Sequence, residues 1–219
     1  MKNLLRALCV SSLLASTGCV LDQATIHAGF ARFEPSEIAI LPVENRTYLD
    51  LSRVTTAGLA QRLINIGVRE VNAPLAIREG FLDAINRKGY GARLVEPEQG
   101  GSDSFRGPLP PGKTASYDAV LICDIRNWRK VMVSEGEGFE FSGQVEVIRV
   151  GEASQGGGEV LYRNTYFHGL NAGGNSIRTA GDLEADLERI ARVVLASFPA
   201  KGQMKVTPPE AAPGAPPER

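Results

Sequence analysis

The residues from Gly107 to Thr114, reading G-P-L-P-P-G-K-T, carry the spacing of a phosphate-binding loop. Such a loop captures an anion with consecutive backbone N–H groups at the start of a helix. Pro108, Pro110 and Pro111 have no N–H to give. The segment that follows, Ala115 to Ile125, reads as a strand rather than a helix, so nucleotide binding is not expected. Acid–base chemistry has little to draw on either. The two histidines, His27 and His168, lie far apart in unlike contexts; the first reads as incidental and the second as a hydrogen-bonded residue at a strand end. Asp182 with Asp186, and Glu184 with Glu188, share the outer face of an amphipathic helix, which is the pattern of a solvated salt-bridge surface. No His-Glu-x-x-His, cysteine pair or Gly-x-Ser-x-Gly elbow occurs. The expectation is a protein that is not an enzyme, with no cofactor and no metal.

The chemistry that does stand out is at Cys19. Lys2 and Arg6 open the chain, Leu4 to Leu14 form an apolar run, and Ser16-Thr17-Gly18 places small residues before the cysteine. This is the layout of a secretory signal. The run falls short of the roughly 20 apolar residues that span a bilayer, so it predicts a removable segment rather than a permanent helix. Ser16-Thr17-Gly18-Cys19 resembles the lipobox of bacterial lipoproteins, with Ser16 where Leu is usual. The resemblance implies cleavage before Cys19, diacylglycerol on its thiol and an acyl chain on the new amine. Two or three chains hold a protein on a bilayer far more firmly than the reversible grip of one. Val20 follows the cysteine, where Asp favours retention in the inner membrane, so the resemblance points to the periplasmic face of the outer membrane.

The chain has 219 residues; cleavage would take away the 18 before Cys19 and leave 201, enough for one domain with its own core. Loss of Lys2 and Arg6 takes the net charge from −1 to −3, with no basic surplus for nucleic acid. Cys9 leaves with the signal and Cys19 carries lipid, so Cys123 stands alone in an apolar run and reads as core packing. The expected organisation is a signal at 1–18, a lipidated tether at 19–35, an α/β domain at 36–199 and a disordered Pro/Ala-rich tail at 200–219.

The elements that position these residues follow from periodicity. Glu37 to Val43 is a short apolar strand ended by Pro42; Ser52 is placed to cap a helix running to Ile66, and Asn72-Ala73-Pro74 opens a second helix. Leu75, Phe81, Leu82 and Ile85 form its buried stripe, and Gly89 ends it. Ala92 to Val95 is a further strand, and Pro97 to Ser116 is loop. Asp118 to Val133, Phe139 to Val147 and Glu159 to His168 read as an antiparallel three-strand meander. Asp182 to Phe198 is the clearest amphipathic helix, ended by Pro199. The expected fold is α/β (α+β): one domain, a mixed sheet with that meander, and about three helices packed on it.

The segments Ile38-Ala39-Ile40-Leu41-Pro42-Val43-Glu44-Asn45-Arg46-Thr47 and Tyr117-Asp118-Ala119-Val120-Leu121-Ile122-Cys123-Asp124-Ile125-Arg126-Asn127-Trp128 resemble a family of bacterial periplasmic lipoproteins. The domain of that family is similar to the N-terminal domain of TolB and to the α/β domains of CsgG and LpoB. The resemblance spans Glu37 to Phe198 and implies an accessory role in envelope assembly or secretion, with no catalytic residues. The expected function is a non-catalytic adaptor, held to the membrane through acyl chains on Cys19, that binds an envelope protein. Asn45, Arg46, Trp128 and Arg129 are its candidate contact residues, since Arg and Trp most often anchor interfaces. The competing reading has Asn45 shaping a turn and Trp128 capping the core. The alternative function is a homo-oligomeric ring in a CsgG-like secretion apparatus.

Overall fold

The computed structural model describes residues 21–55, 70–95, 116–133, 136–150, 158–169 and 180–204. The signal, Cys19, most of the helix expected up to Ile66, the proline-rich loop and the tail from 205 lie outside them.

A sheet in the order β1-β9-β8-β7-β2-β6 forms the body of the domain. Its strands are β1 (Leu21–Ile26), β2 (Glu37–Ile40), β6 (Gly91–Leu94), β7 (Ala119–Val133), β8 (Gly136–Arg149) and β9 (Val160–Gly169). A seventh, β3 (Glu44–Asn45), continues beyond β2 and pairs with Asp124–Ile125 of β7. β2 runs parallel to both β6 and β7, while β7, β8 and β9 form the antiparallel meander. Three helices, α1 (Ala28–Arg32), α2 (Ala73–Arg87) and α3 (Ala180–Val194), bury residues in one cluster with the inward-facing strand residues. A two-stranded ribbon of β4 (Val54–Thr55) and β5 (Glu70–Val71) lies beside them. The α/β fold class, the mixed sheet with its meander, and α2 and α3 agree with the sequence expectation; α1 was not foreseen.

Each element has a local cause. Asn72 accepts the N–H of Leu75 at 3.0 Å and caps α2 as expected, a contribution of about 1 kcal/mol. Beyond the helix end, Gly89 takes φ of 90°, a conformation that only glycine adopts freely. α3 buries Leu183, Leu187, Ile190 and Val194, each contributing about 1.5–3 kcal/mol. In β8, Phe139, Phe141, Val145 and Val147 are buried and Glu140, Ser142, Gln144 and Glu146 half-buried, an alternation with period two.

Four expectations need correction. The stretch expected as a tether is folded from Leu21 onward: β1 pairs along its whole length with β9, and Phe30 of α1 is wholly buried against Phe198. Ser52 does not cap a long helix; Leu51–Arg53 is a single 3-10 turn capped by Asp50, and the chain extends into β4. Leu75 does not belong to the buried stripe of α2 but is 40% exposed. Finally, the tail does not begin at 200. Lys201 donates its N–H to Lys88 O (2.8 Å), Gly202 donates to Glu34 Oε1 (2.7 Å), and Met204 packs on the core.

Candidate interaction surface

The loop after β3 is built by two side chains. Asn45 Oδ1 accepts from the N–H of Thr47 (2.9 Å) and from its hydroxyl (2.7 Å), while Asn45 Nδ2 donates to Leu49 O (2.7 Å). This is an Asx-turn, which gives the backbone a shape without help from the core. Asp50 repeats the device by accepting from Ser52 N (3.1 Å) and Ser52 Oγ (2.6 Å), and those hydrogen bonds hold its carboxyl below the usual range. Between the two turns, Tyr48 is fully exposed and Leu49 half-exposed. The backbone therefore presents an aromatic ring to solvent from a closed loop.

Arg46 roots this loop. Its N–H donates to Ile125 O (2.8 Å), its Nη2 to Glu44 Oε2 (3.0 Å), and its Nε lies 3.4 Å from Asp124 Oδ2. The guanidinium is held above its ordinary value, chiefly by the bond to Glu44. Asp124 is the hub. This buried carboxylate accepts both Nε and Nη2 of Arg126, at 3.0–3.1 Å, and the backbone N–H of Gln144 at 2.8 Å. From there a polar row runs across the sheet: Arg126 to Gln144 (2.7 Å), Gln144 to Glu146 (2.7 Å) and Arg163 to Glu146 (2.6 Å). No described helix contributes to this face; its own small cluster is Ala39, Leu41 and Val120.

A bulge between Ile125 and Asn127 shifts the β7–β8 register where the hub sits. Gly143 lies opposite. A Cβ on it would stand 1.9 Å from Asp124 O and 2.6 Å from the Tyr166 hydroxyl, so only glycine fits. Tyr166 donates that hydroxyl to Asp124 O at 3.2 Å, and Cys123 Sγ lies 3.5 Å from it. Burial pushes the Cys123 thiol up to about 12 and holds the Tyr166 phenol well above its ordinary value. Neither group is activated for chemistry, and Cys123 packs in the core as expected.

The four expected contact residues have separate fates. Asn45 shapes the turn. Arg46, half-exposed, is engaged with Glu44 and Asp124. Trp128 is 6% exposed, its ring stacked on Phe141 (centroids 5.3 Å) and tilted against Phe139 (5.4 Å), so it fills the core instead of the surface. Arg129 is exposed and ion-paired across the strands with Glu140. Within the expected contact stretch, Glu44 to Leu49, the apolar residues that face solvent are Tyr48 and Leu49, which were not singled out beside Asn45 and Arg46; the Asn-x-Thr spacing that closes their loop was the available signal.

His168 is buried against Phe141, and neither ring nitrogen has a hydrogen-bond partner among the described residues, contrary to expectation. Burial, with some help from the charge of Arg189, lowers it to about 4, while Asp186 opposes the shift. It stays neutral at ordinary pH. The carboxylates of α3 pair as a surface: Asp186 with Arg189 (3.2 Å), and Glu188 with Arg192 (3.9 Å). Among the described residues, no group of three or more His, Cys, Asp or Glu could hold a metal ion. No described helix is long and apolar enough to cross a membrane.

No family model matches the chain, and no curated protein matches it in sequence. Solved structures are similar at low identity. A PelC dodecamer from Paraburkholderia phytofirmans aligns with a TM-score of 0.47 and 15% identity, covering 82% of this chain and 96% of that one. Lipoprotein GNA1162 from Neisseria meningitidis gives 0.42 and 14%, covering 74% and 100%. A DUF4136 family protein, BT2437, from Bacteroides thetaiotaomicron gives 0.42 and 10%, covering 83% and 98%. Likeness of this degree describes a general course of the chain and carries neither partner nor activity.

Proposed function

We propose that this chain is a lipid-anchored envelope protein of the outer membrane's periplasmic face, acting as a non-catalytic adaptor. The anchor is Cys19. The contact elements are the Asn45–Leu49 loop and the polar row from Asp124 to Arg163 on the face of the sheet that no described helix covers. The observation that carries this reading is Tyr48, an aromatic ring fully exposed on a loop whose shape is fixed by its own hydrogen bonds. A ring held this way loses little conformational freedom on binding, which is what a contact residue needs. Three buried polar residues, by contrast, are engaged in structure: Asp124 with two arginines, Asn164 with Val194 O at 2.6 Å, and Arg78 with Val95 O at 2.7 Å.

The test is photo-crosslinking in the native envelope from position 48, from position 163 on the open face, and from Glu79 on α2, together with the mass of the amino-terminal peptide. A peptide that begins at acylated Cys19, with one protein captured from 48 or 163 and not from 79, is the expected result. An unmodified amino terminus, or equal capture from all three positions, overturns the reading.

A further inference from the structure

His27 donates its N–H to Leu161 O at 2.9 Å, at the end of the ladder in which β1 pairs with β9. Main-chain groups alternate along an antiparallel ladder, so His27, Thr25 and Gln23 turn theirs toward β9, and Ile26, Ala24 and Asp22 turn theirs outward. Among the described residues no strand lies on that outer side. The side chains from Gln23 to Ile26 are all exposed, so no described element overhangs the strand.

The opposite end of the sheet is closed to a further strand. β6 has four residues, the outward N–H of Ala92 is taken by Asn86 Oδ1 at 3.0 Å, and Arg93 stands exposed beside it. Short length and a charge are usual protections of a sheet edge, as are proline and a bulge. From Gln23 to Ile26, β1 has no charge, no proline and no break in register.

The sequence of β1 fits a second copy of itself. A twofold axis perpendicular to the sheet keeps its two faces distinct, so residues of like parity oppose each other. With the axis at Ala24, Ala24 meets Ala24 of the second copy, Gln23 meets Thr25, and Asp22 meets Ile26. Every outward main-chain group from Asp22 to Ile26 is then used, because each opposed pair of outward residues exchanges two hydrogen bonds. The side chains agree on both faces. Ala24 and Ile26 pair with Asn164 and Tyr162, which are buried on the helix side of the sheet. The seam therefore carries four apolar residues on that side, two from each copy, and covers Ile26, now 41% exposed. On the other side the Gln23 amide meets the Thr25 hydroxyl twice, and no like charges oppose.

We propose that β1 is the docking edge for β1 of a second copy of this chain, giving a twofold dimer with one sheet running through both molecules. The contact is isologous and closes at two, unlike a ring. It does not require lipid on Cys19, and it leaves the Tyr48 loop, on the far side of β7, free for another protein. A seam of one short strand is small beside the roughly 1,200 Å² that stable complexes bury, so the dimer forms and parts, and the test must trap it.

The experiment oxidises the full chain in the native envelope with a single cysteine introduced as Gln23→Cys, Ala24→Cys or Thr25→Cys. Cys123 is buried with its thiol pushed up to about 12, and the unsubstituted chain is oxidised in parallel. Position 24 faces itself across about 5.5 Å, a disulfide distance, whereas 23 and 25 face their own copies only diagonally, at about 7–8 Å. A disulfide dimer from 24, at least tenfold above 23 and 25 alone, is the expected result. Gln23→Cys and Thr25→Cys chains made together should crosslink to each other. Ile26→Pro removes an outward N–H while leaving the bonds to β9, and Ile26→Lys keeps every main-chain bond but adds a charge. Each should lower the yield from 24 at least fivefold.

No dimer from 24, equal yields at all three positions, or a yield from 24 that neither change at Ile26 lowers, overturns the proposal. A disulfide from 24 to a different protein assigns the edge to that partner and also overturns it. None of these outcomes alters capture from position 48, so the adaptor reading stands or falls separately.

Discussion

The Tyr166 hydroxyl crosses the space left by Gly143 and donates to the main-chain oxygen of Asp124, 3.2 Å away. One missing side chain on β8 thus lets β9 reach β7 through the strand between them. Gly143→Ala should cost about 2–3 kcal/mol, because the new methyl group meets backbone that cannot give way. Tyr166→Phe should cost about 1 kcal/mol, the loss of one hydrogen bond. Urea unfolding of both variants checks the order; Gly143→Ala at wild-type stability would show that the bulge relaxes freely.

The carboxylate of Asp124 is the second test. Asp124→Ala removes the acceptor for Arg126, Arg46 and the Gln144 N–H together, and should cost about 2–3 kcal/mol. Asp124→Asn keeps an acceptor for the Gln144 N–H and should cost about half of that. Equal losses in the two variants would place the effect in packing rather than in the hydrogen bonds.

His168 makes stability depend on pH. Its folded value, about 4, lies below the ordinary 6.5, so the unfolded chain binds more protons between those limits. Stability is complete above pH 6.5 and falls as the pH drops toward 4, by up to about 3 kcal/mol at roughly 1.4 kcal/mol per pH unit. His168→Phe should flatten that part of the profile. Denaturant midpoints measured from pH 4 to 8 in both proteins decide it, and an unchanged acid limb would assign the loss to the carboxylates.

Tyr48 and Asn45 should separate folding from contact. Tyr48→Ala removes an exposed ring and should change stability by less than about 0.5 kcal/mol while abolishing capture from position 163. Asn45→Ala should abolish capture and also cost about 1 kcal/mol, because the turn opens. Capture that survives in both variants would move the contact surface elsewhere.

Cys123 should resist thiol reagents. With the thiol buried and raised to about 12, maleimide at pH 8 should leave it unmodified in the native protein and react within minutes in denaturant. Native-state labelling at the unfolded rate would mean that β7 opens readily at that point.

Much of the fold was legible because the core states itself in period. β8 alternates without a break, α3 repeats its apolar stripe over four turns, and Asn72-Ala73-Pro74 spells a helix start. What could not be read depended on neighbours distant in sequence. β1, reading L-D-Q-A-T-I, has Gln23, Ala24, Thr25 and Ile26 all exposed, so no alternation marks it; its pairing with β9 is its only cause. For Trp128 the sequence left two readings, contact residue and core cap, and strand parity did not choose the second because Asp124 and Arg126, on the same parity, are polar. The bulge adds one residue to the count and turns Trp128 inward with Cys123 and Ile125. Leu75 obeys the helical period, but the described neighbours leave it uncovered.

Strand β1 is the margin of the described sheet on its β9 side. It occupies the outer N–H and C=O groups of Tyr162 to Phe167, which would otherwise form a long open margin. A soluble fragment made by cutting the chain after Ile26 would strip that margin bare. Its molecules should then join edge to edge, and an assembly seen only in such a fragment would report the cut rather than the protein.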